Sequence, residues 1–498
     1  MTLTTPILPG FYPDPSICRV GNTYYLINSS FEYLPGIPIH ASTDLVTWTL
    51  LGNTLTRPDQ IAEHDGYPSA GIFAPTIRHH DDRFWIIGTN VNEIPLGRGH
   101  FLIHADDPAG PWSEPVHIPD AIGIDPDIVW DEDGIAHVTW CSLSSEQPGI
   151  LSAPVDTETG ALLSPARQLW QGTGLAFPEG PHLYRIDDWW YLLLAEGGTE
   201  RGHTATIARA RSLDDAFEAA PANPFLSHRS LAHPVQNTGH VDLIELADGT
   251  WGAVHLGVRT RGQSPGFHVN GRESFLVGID WIDGWPVVDE NRFAVPPADH
   301  SFQDDFASAD LHPRWLGVGR FPSSFSRPAP DGGIIINADT GTGHALLAAR
   351  ATDLVWTAST RFAVGDTGKG RFSVRIDDQH WYGLTYDGST VEATLTIGPI
   401  EHSVGRWEVP ADTTPTLRIS AKSPRLLPHG ISLEPDLIEL AVAAGADEHT
   451  FGAFDGRYLS TEVTGGFTGR VFGVEAITGQ IHVHEITYTP ETGMDHND

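Results

Sequence analysis

A short pattern of apolar and polar positions recurs five times in the first part of the chain. Each copy has a short apolar run, a polar turn that contains Asp or Gly, and a second run that includes aromatic residues. In the first copy, Ser16–Ile17 leads to a turn at Gly21–Asn22 and then to Tyr24–Ile27. The copies begin at Asp14, Ala74, Asp125, Glu179 and His240. The pattern therefore predicts one hairpin unit that is used five times.

A spacing of roughly 40–60 residues between such units, without helical periodicity, is typical of the blades of a β-propeller. We therefore predict an all-β chain in which residues 1–298 form a five-bladed β-propeller. The innermost strands of a propeller line one axis, so residues at one repeat position meet there even when they are far apart in sequence. That position would bring three carboxyls and an imidazole together, on Asp14, Asp125, Glu179 and His240.

The five-fold repeat ends at a Pro-rich, polar linker at residues 296–300, and a different pattern of apolar and polar residues follows. Apolar and polar residues alternate over Arg371–Ile376 and Tyr382–Tyr386, which predicts half-buried antiparallel strands. Asp387–Gly388 predicts a hairpin turn after the second of these strands. We expect residues 303–498 to form a β-sandwich of the jelly-roll or concanavalin-like type.

The amino-acid composition limits the classes of molecule that the protein is expected to bind. The chain of 498 residues carries a formal net charge of −35, which disfavours binding to nucleic acid and to anionic membranes. The two cysteines, Cys18 and Cys141, are expected to be free and buried. The N-terminal residues lack the basic and apolar runs of a signal peptide, and no apolar stretch is long enough to span a membrane. These features predict a cytoplasmic protein. The 25 histidines show no spacing that predicts a zinc site.

The carboxyls at the repeat positions suggest acid–base hydrolysis of a glycosidic bond. Hydrolysis of a glycosidic bond without a cofactor requires one carboxyl to protonate the leaving oxygen and another to activate water or attack the sugar. A third carboxylate nearby helps to keep the acid protonated, because like charges disfavour ionisation of both groups. Asp14, Asp125 and Glu179 would supply such a set.

Several short motifs surround these positions. They are Pro13-Asp14-Pro15-Ser16, Ile124-Asp125-Pro126, Pro178-Glu179-Gly180-Pro181-His182 and Gly271-Arg272-Glu273. Together they resemble glycoside hydrolase family 43. Three further segments, Asn28–Tyr33, Pro35–Pro38 and Gly465–Gly469, are similar to the β-xylosidase branch of that family, which carries an additional C-terminal β-sandwich.

The resemblance implies roles for the three carboxyls. Asp14 would be the general base that activates water, Glu179 the general acid, and Asp125 the residue that orients Glu179 and keeps its pKa high. Enzymes of this family invert the anomeric centre, which implies that Asp14 and Glu179 lie roughly 6.5–9.5 Å apart to leave room for water. No cofactor is expected.

The resemblance also implies residues that would contact the substrate. Phe31 would wall the sugar pocket, Arg272 would bind sugar hydroxyls and balance the acids, and Phe467 would reach over from the sandwich. Thr206 resembles a further pocket residue. His240 would bind substrate, order water or ligate a cation such as Ca²⁺ near the axis, or serve as a plain structural histidine.

One position departs from the β-xylosidase pattern, because Phe73 stands where that branch has Trp. Phe gives a smaller apolar wall without an indole N–H, which loosens the expected specificity for xylose. We therefore expect an inverting exo-glycosidase that releases xylose from short β-1,4-xylo-oligosaccharides, that is, a xylan 1,4-β-xylosidase. An α-L-arabinofuranosidase, or an enzyme with both activities, is the alternative.

Two other classes of protein, a non-catalytic carbohydrate-binding propeller and a retaining glycosidase, agree less well with the sequence. A carbohydrate-binding propeller without catalysis would be expected to lack one of the three carboxyls. A retaining enzyme of the invertase type would carry Asn-Asp-Pro-Asn-Gly near the start, where this chain has Tyr12-Pro13-Asp14-Pro15-Ser16. Relatives of the two-domain type often form dimers or tetramers, so a homo-oligomer is expected.

Overall fold

The described part of the chain is built almost entirely of β-strands. The computed structural model describes residues 5–262, 266–338, 343–365, 367–423 and 435–491. Within these ranges there are only two one-turn α-helices, α1 (Pro322–Phe325) and α2 (Thr461–Thr464), and two 3₁₀ helices, Val91–Leu96 and Gly456–Leu459. The predicted all-β class is confirmed.

The five predicted hairpins form, and each is extended into a four-stranded antiparallel sheet. The sheets are β1–β2–β4–β5, β6–β7–β8–β9, β10–β11–β12–β13, β14–β15–β16–β17 and β18–β19–β20–β21. The strands of this half are β1 (Ser16–Val20), β2 (Thr23–Ile27), β3 (Tyr33–Leu34), β4 (Gly36–Ser42), β5 (Thr49–Leu55), β6 (Ile72–His80), β7 (Arg83–Asn90), β8 (His100–Ala105), β9 (Val116–His117), β10 (Gly123–Trp130), β11 (Ala136–Ser142), β12 (Gly149–Pro154), β13 (Arg167–Trp170), β14 (Glu179–Ile186), β15 (Trp189–Glu196), β16 (Thr204–Ala210), β17 (Glu218–Ala219), β18 (Val235–Glu245), β19 (Trp251–Arg259), β20 (Glu273–Ile282) and β21 (Trp285–Asp289).

The first strands of the five sheets form a closed ring. β1 contacts β6, β6 contacts β10, β10 contacts β14, β14 contacts β18, and β18 returns to β1. Because neighbouring first strands touch, side chains at one height on these strands are brought together from all five sheets.

One residue in, or just before, each first strand has an unusual backbone conformation. The backbone angle φ is positive at Asp14 (52°), Ala74 (28°), Asp125 (54°), Gly180 (57°) and His240 (50°). In the last four sheets the pairing with the second strand slips at this place, as in a β-bulge. A bulge redirects side chains, and in these four sheets it contains the residue with positive φ.

This backbone pattern corrects the predicted repeat alignment. Gly180-Pro181, not Glu179, is equivalent to Asp14-Pro15 and Asp125-Pro126, so the predicted equivalence of Glu179 was wrong by one residue. A Cβ atom at position 180 would lie 3.0 Å from the imidazole of His240. The position therefore favours glycine, and the fourth sheet supplies its carboxyl from the preceding residue.

The second half of the chain forms two larger antiparallel sheets. One has the order β24–β25–β36–β27–β32–β33–β34, with β22 also paired to β36, and the other has the order β26–β35–β28–β29–β30–β31. The strands are β22 (Phe302–Asp304), β23 (Gly317–Val318), β24 (Ser326–Pro328), β25 (Ile334–Asn337), β26 (Ala345–Arg350), β27 (Trp356–Val364), β28 (Lys369–Asp377), β29 (His380–Tyr386), β30 (Thr390–Ile397), β31 (Ile400–Glu408), β32 (Thr416–Lys422), β33 (Leu437–Ala444), β34 (Asp447–Asp455), β35 (Val471–Thr478) and β36 (Gln480–Pro490).

The two larger sheets share one hydrophobic core. Ile419 and Ile486 of the first sheet and Phe372 and Val474 of the second belong to the same buried cluster. The strands predicted from alternating residues lie in β28 and β29, and the predicted Asp387–Gly388 turn connects β29 to β30. Alternation therefore identified the inward-facing positions correctly.

The two halves of the chain are in direct contact. Tyr33 and Leu34 of β3 pair with Val318 and Gly317 of β23, which places strands from both halves in one small sheet. Arg350 stands 4.4 Å from the ring of Phe11 and donates to the Phe11 carbonyl oxygen over 3.0 Å. The second half is thus held against the end of the ring that carries Asp14.

Across the ranges that the structure describes, none of the helices has the length and apolar character needed to cross a membrane.

Candidate active site

Asp14 lies just before β1, and its carboxylate is buried among three partners. Ser29 donates its hydroxyl hydrogen to Oδ2 over 2.6 Å, and Arg272 Nη1 donates to Oδ1 over 3.0 Å. His240 Nδ1 lies 3.4 Å from Oδ1. Burial by itself would raise the pKa of Asp14, but the charges of Arg272 and His240 and the Ser29 hydrogen bond hold that pKa well below its usual range. Asp14 is therefore a carboxylate at neutral pH.

The pKa values of Glu179 and Asp125 shift in the opposite direction, upward. Asp125 is buried in β10, and its Oδ2 accepts a hydrogen bond of 3.0 Å from the backbone N–H of Gly180. Burial raises the pKa of Asp125, His240 opposes that rise, and Glu179 and Asp14 add to it. Burial also raises the pKa of Glu179, against the charge of Arg272 and with the charge of Asp14.

The three carboxyls thus differ in their protonation. Asp14 is stabilised as an anion, whereas the pKa values of Asp125 and Glu179 are both raised. Carboxyls whose environments push their pKa values apart are the usual arrangement for a base and an acid that work together. The cluster can supply one proton acceptor and one proton donor at neutral pH.

Three aromatic rings form a wall beside this cluster. Phe31 and Phe73 meet edge to face with ring centroids 5.4 Å apart, and the ring of Phe467 lies 5.8 Å from Phe31 and 5.6 Å from Phe73. The guanidinium carbon of Arg272 stands 5.7 Å from the Phe31 ring and 5.4 Å from the Phe467 ring. The structure therefore brings Arg272 and all three predicted aromatic residues together with Asp14.

The loop that carries Phe467 is held by the first half of the chain. The backbone N–H of Phe467 donates to the Ser69 hydroxyl over 2.8 Å. The loop passes so close to the Gly271 segment that a Cβ at Gly469 would lie 2.3 Å from the carbonyl carbon of Asn270. The glycines of the two motifs permit backbone-to-backbone packing, which places one aromatic residue of the second half at the site.

His240 lies beside the carboxyls, as predicted. Its ring packs against Gly180, and the ring of His182 stands 5.8 Å away. Within the described ranges, no group of three His, Cys, Asp or Glu residues with metal-ligating spacing includes His240. Its role in binding a cation such as Ca²⁺ stays a prediction.

Thr206 is not brought to the surface of the cluster. It is fully buried in β16, and its hydroxyl donates to Glu196 Oε2 over 2.6 Å. Glu196 also accepts hydrogen bonds from the backbone N–H and the hydroxyl of Thr173. Support of the loop around Thr173 fits this burial better than direct contact with a substrate.

Residues that the sequence did not single out complete the site. Ser29 bridges two sheets, because its hydroxyl donates to Asp14 and accepts the backbone N–H of Ala74 over 2.7 Å. Thr199 accepts a hydrogen bond of 3.0 Å from Arg272 Nη1. A signal for Ser29 was present, since it lies in the Asn28–Tyr33 motif. Thr199 lies in a loop without a recognisable pattern.

Comparisons with known proteins agree with this geometry. The sequence profile described as Glycosyl hydrolases family 43 matches residues 3–286. The chain is 33% identical over 504 residues to the Non-reducing end alpha-L-arabinofuranosidase BoGH43B of Bacteroides ovatus, in an alignment that covers 95% of this chain and 91% of that protein. It is 39% identical over 348 residues to a Xylosidase/arabinosidase of Butyrivibrio fibrisolvens, which covers 64% of this chain and 65% of that protein.

Similarity extends to the three-dimensional structure. The solved structure described as Bacteroides ovatus Xyloglucan PUL GH43B superimposes on this chain with a TM-score of 0.86 at 31% identity. The superposition covers 99% of this chain and 100% of the other, so both halves correspond.

Proposed function

This chain belongs to glycosyl hydrolase family 43, and from that premise we propose that it is an inverting exo-glycosidase which removes single pentosyl units from non-reducing ends. The first candidate substrate is a short β-1,4-xylo-oligosaccharide, from which the enzyme releases xylose. The observation that carries the proposal is the opposite displacement of the pKa values of Asp14 and Glu179.

The proposed reaction uses one water molecule and no cofactor. Asp14, kept anionic by Arg272, accepts a proton from the water as its oxygen attacks the anomeric carbon. Glu179 gives its proton to the glycosidic oxygen as the bond from that oxygen to the anomeric carbon breaks. Attack from the face opposite the leaving group inverts the anomeric centre.

Asp125 acts in this scheme through Glu179. Its carboxyl accepts the N–H of Gly180, which fixes the peptide directly after Glu179 and thereby the direction of the Glu179 side chain. Its own raised pKa indicates a carboxyl that shares the same low-dielectric surroundings as Glu179. We propose that Asp125 positions the acid and does not itself contact the reacting atoms.

The action on chain ends rests on the aromatic wall. Phe31 and Phe467 stack, Phe73 packs edge to face against both rings, and the loop of Phe467 is held by a hydrogen bond to Ser69. Such a wall leaves room for one terminal sugar and obstructs a continuous chain. The Bacteroides ovatus relative is described as a non-reducing-end arabinofuranosidase, which supports the same mode of action for this chain.

We propose the architecture that the repeats predicted. The ring of five sheets is interpreted as a five-bladed β-propeller over residues 1–298, and the two sheets with a shared core as a β-sandwich over residues 303–498. The last strand of the ring ends at Asp289 and the next strand begins at Phe302, which supports a boundary between them.

An α-L-arabinofuranosidase is the second candidate. The relative aligned over 95% of this chain carries that activity in its name, and Phe73 replaces the Trp of the β-xylosidase pattern. A smaller ring at this place leaves more space beside the sugar. Both substrates present a terminal pentose, so the same carboxyls would serve either reaction.

Parallel assays on two substrates test the proposal. Purified protein is given xylobiose in one reaction and an arabinofuranosyl-xylo-oligosaccharide in the other, and the released sugar and its first anomeric form are followed by NMR. Fast release of α-xylose from xylobiose establishes an inverting β-xylosidase. Release of arabinose alone selects the second candidate. Formation of the β-anomer from the non-reducing-end xylose, or no release from either substrate, contradicts the proposal.

Two further expectations remain proposals. We propose a cytoplasmic location, in keeping with short imported oligosaccharides as substrates, and a homo-oligomer. Fractionation of the native host with an antibody tests the first, and light scattering coupled to size-exclusion chromatography tests the second.

A further inference from the structure

A second cluster of ionisable side chains lies apart from the catalytic carboxyls, on the fifth sheet. It consists of His228 and His233, from the segment that precedes β18, and Glu290, directly after β21. Within the described ranges it is the one group of three His, Cys, Asp or Glu residues whose ligand atoms all lie within 4.8 Å of one another. Chain folding brings Glu290 to histidines that are more than fifty residues away in sequence.

The distances within the cluster suit a small cation. His228 Nε2 lies 2.8 Å from Glu290 Oε1, and His233 Nε2 lies 3.9 Å from Glu290 Oε2. Around a tetrahedral zinc ion with bonds of about 2.0–2.1 Å, neighbouring ligand atoms lie about 3.3 Å apart. The two observed separations fall on either side of that value, so small movements of the side chains would place all three ligands around one ion.

The other nitrogens of both imidazoles are held by the same peptide carbonyl. His228 Nδ1 lies 2.8 Å and His233 Nδ1 lies 3.0 Å from the carbonyl oxygen of Val235. Histidines that bind metals commonly donate this second N–H to a carbonyl or a carboxylate, which fixes the ring and leaves Nε2 with a free lone pair. The Val235 carbonyl can orient the His228 ring in this way. The backbone N–H of Val235 also lies 3.1 Å from His233 Nδ1, so metal binding requires the His233 tautomer in which Nδ1 donates to the carbonyl and Nε2 is free.

An ordinary ion pair would account for only part of the cluster. Protonated His228 with Glu290 would explain the 2.8 Å contact. That ion pair would not provide a partner for His233. The His233 side chain is only 9% exposed, and its Nε2 is buried without a hydrogen-bond partner. A buried polar atom without a partner is costly, and a metal ion would satisfy it.

An ion could reach the cluster from solvent. Glu290 lines an open cleft of about 560 Å³, together with Asp289, Asn291 and Arg229. The side chain of Glu290 is 31% exposed, so the carboxylate can meet an ion at the cleft while the histidines approach from the interior. The net charge of −35 also favours the approach of cations.

We propose that His228 Nε2, His233 Nε2 and the Glu290 carboxylate bind one divalent transition-metal ion, with Zn²⁺ the best match to two imidazoles and a carboxylate. Water from the cleft would complete the coordination. The ion would join the segment before β18 to the end of β21 and stabilise the fifth sheet. The proposal does not depend on the identity of the sugar substrate.

Zinc binding by the full-length protein tests the proposal. Metal-free wild type, His233→Gln and Glu290→Gln are titrated with ZnCl₂ in a calorimeter, with circular dichroism to verify folding. The control is His137→Gln, because His137 lies 2.9 Å from Asp131 in a His–carboxylate pair that belongs to no such group of three. Wild type and the control are expected to bind one ion at this site, and each ligand variant to bind it at least tenfold more weakly.

Two further readouts make the result decisive if one variant folds poorly. Zn²⁺ is expected to raise the melting temperature of wild type and of the control but not of the folded ligand variant. Co²⁺ in place of zinc should produce visible absorption bands of a four-coordinate site in wild type, and these should be absent from that variant. Equal zinc affinity, or an equal rise in melting temperature, in wild type and the ligand variants would overturn the proposal.

Discussion

Asp14 and Glu179 lie in opposite electrostatic environments, although the positive charge of Arg272 acts on both carboxyls. Arg272 is hydrogen-bonded to Asp14 and acts on Glu179 only through its charge. Burial is the largest single effect on both pKa values, but at Asp14 the contacts with Arg272, His240 and Ser29 together outweigh it, whereas at Glu179 burial prevails. The proposed roles of base and acid follow from this difference in contacts, not from the residue types.

Substitution of the two carboxyls should separate their roles. Glu179→Gln is expected to lower kcat on xylobiose by about 10²–10⁴-fold, because the poor leaving group needs a proton. The loss should be much smaller on a nitrophenyl xyloside, whose leaving group departs without one. Asp14→Asn should lower kcat on both substrates, since water must be activated in either case. Steady-state kinetics on both substrates provides the measurement.

The control for these substitutions is Asp133→Asn, an exposed carboxyl in the turn between β10 and β11 that should leave both rates unchanged. Equal losses on the two substrates after Glu179→Gln would contradict the assignment of Glu179 as the acid.

The pH profile should report the same pair of groups. The base works when ionised, so activity is lost as pH falls through the pKa of Asp14, which lies well below its usual range. The acid works when protonated, and burial raises the pKa of Glu179 to about 7, so activity is lost as pH rises through about 7. The logarithm of kcat/KM against pH should therefore be bell-shaped with a broad acid side.

Arg272→Gln tests the cause of both pKa shifts. The positive charge lowers the pKa of Asp14 and of Glu179, so its removal should raise both values. Both limbs of the profile are expected to move to higher pH, on top of a general loss of activity. A lower maximal activity, with neither limb of the pH profile shifted along the pH axis, would show that Arg272 binds substrate but does not set the pKa values of the two carboxyls.

Phe73 offers a test of specificity at a single position. Phe73→Trp is expected to improve kcat/KM on xylobiose relative to the arabinofuranosyl substrate by roughly fivefold, the equivalent of about 1 kcal/mol of added apolar contact. Phe293→Trp, at a half-buried position outside the aromatic wall, serves as the control. An unchanged ratio of the two kcat/KM values would mean that Phe73 does not decide the preference.

At the scale of elements, one loop of the second half completes a site built by the first. The loop follows α2 and carries Gly465, Gly466, Phe467 and Gly469. It packs against the segment that contains Gly271, where φ is 73° and a Cβ would meet the Phe11 side chain at 2.8 Å. The close packing of the two segments gives a steric reason for the glycines in both motifs.

Gly469→Ala should displace this loop. The added methyl group would lie 2.3 Å from the Asn270 carbonyl carbon, so Phe467 must move away from the sugar pocket. A displacement of about 1 Å costs on the order of 10²-fold in rate, and we expect kcat/KM to fall by at least about tenfold. Gly52→Ala, where nothing lies within 4 Å of the new Cβ, is the matched control. Normal kinetics after Gly469→Ala would contradict the proposed part of Phe467.

At the scale of the whole molecule, Arg78 of β6 ties the ring together. Its guanidinium lies 2.9 Å from both Asp127 of β10 and Asp242 of β18. It also contacts His182 of β14 at 3.1 Å and Ser16 of β1 at 3.3 Å. Although burial opposes the effect, the charge of Arg78 contributes to lowering the pKa of Asp242 to about 2. One side chain thus reaches all five sheets.

Arg78→Met should destabilise the fold strongly. It leaves Asp127 and Asp242 buried without their cation, and loss of one partner of a buried ion pair costs about 3–5 kcal/mol. Urea denaturation should show that decrease in the free energy of unfolding. Arg83→Met is the control, because the Arg83–Asp106 pair is 41% and 84% exposed and should contribute about 0–1 kcal/mol. Equal effects of the two substitutions would show that Arg78 does not stabilise the ring.

The sequence by itself determined the elements and the chemistry they carry. Each hairpin depends on residues that are neighbours in the chain, so alternation, turn residues and repetition were enough to predict the strands, the five-fold repeat and the equivalent positions of Asp14 and Asp125. The motif around Glu179 was also identified, but its place in the repeat was wrong by one residue. Only the positive φ at Gly180 shows which residue takes the equivalent position.

Only the tertiary structure decided which distant side chains meet. Ring closure places Arg272 beside Asp14 and joins five sheets through Arg78, whereas strand pairing within the fourth sheet buries Thr206 against Glu196. Packing within the fifth sheet brings Glu290 to His228 and His233, a grouping with no recognisable spacing along the chain. Local patterns encode which way a side chain faces on its own strand, whereas contacts across the ring depend on how every strand packs at once.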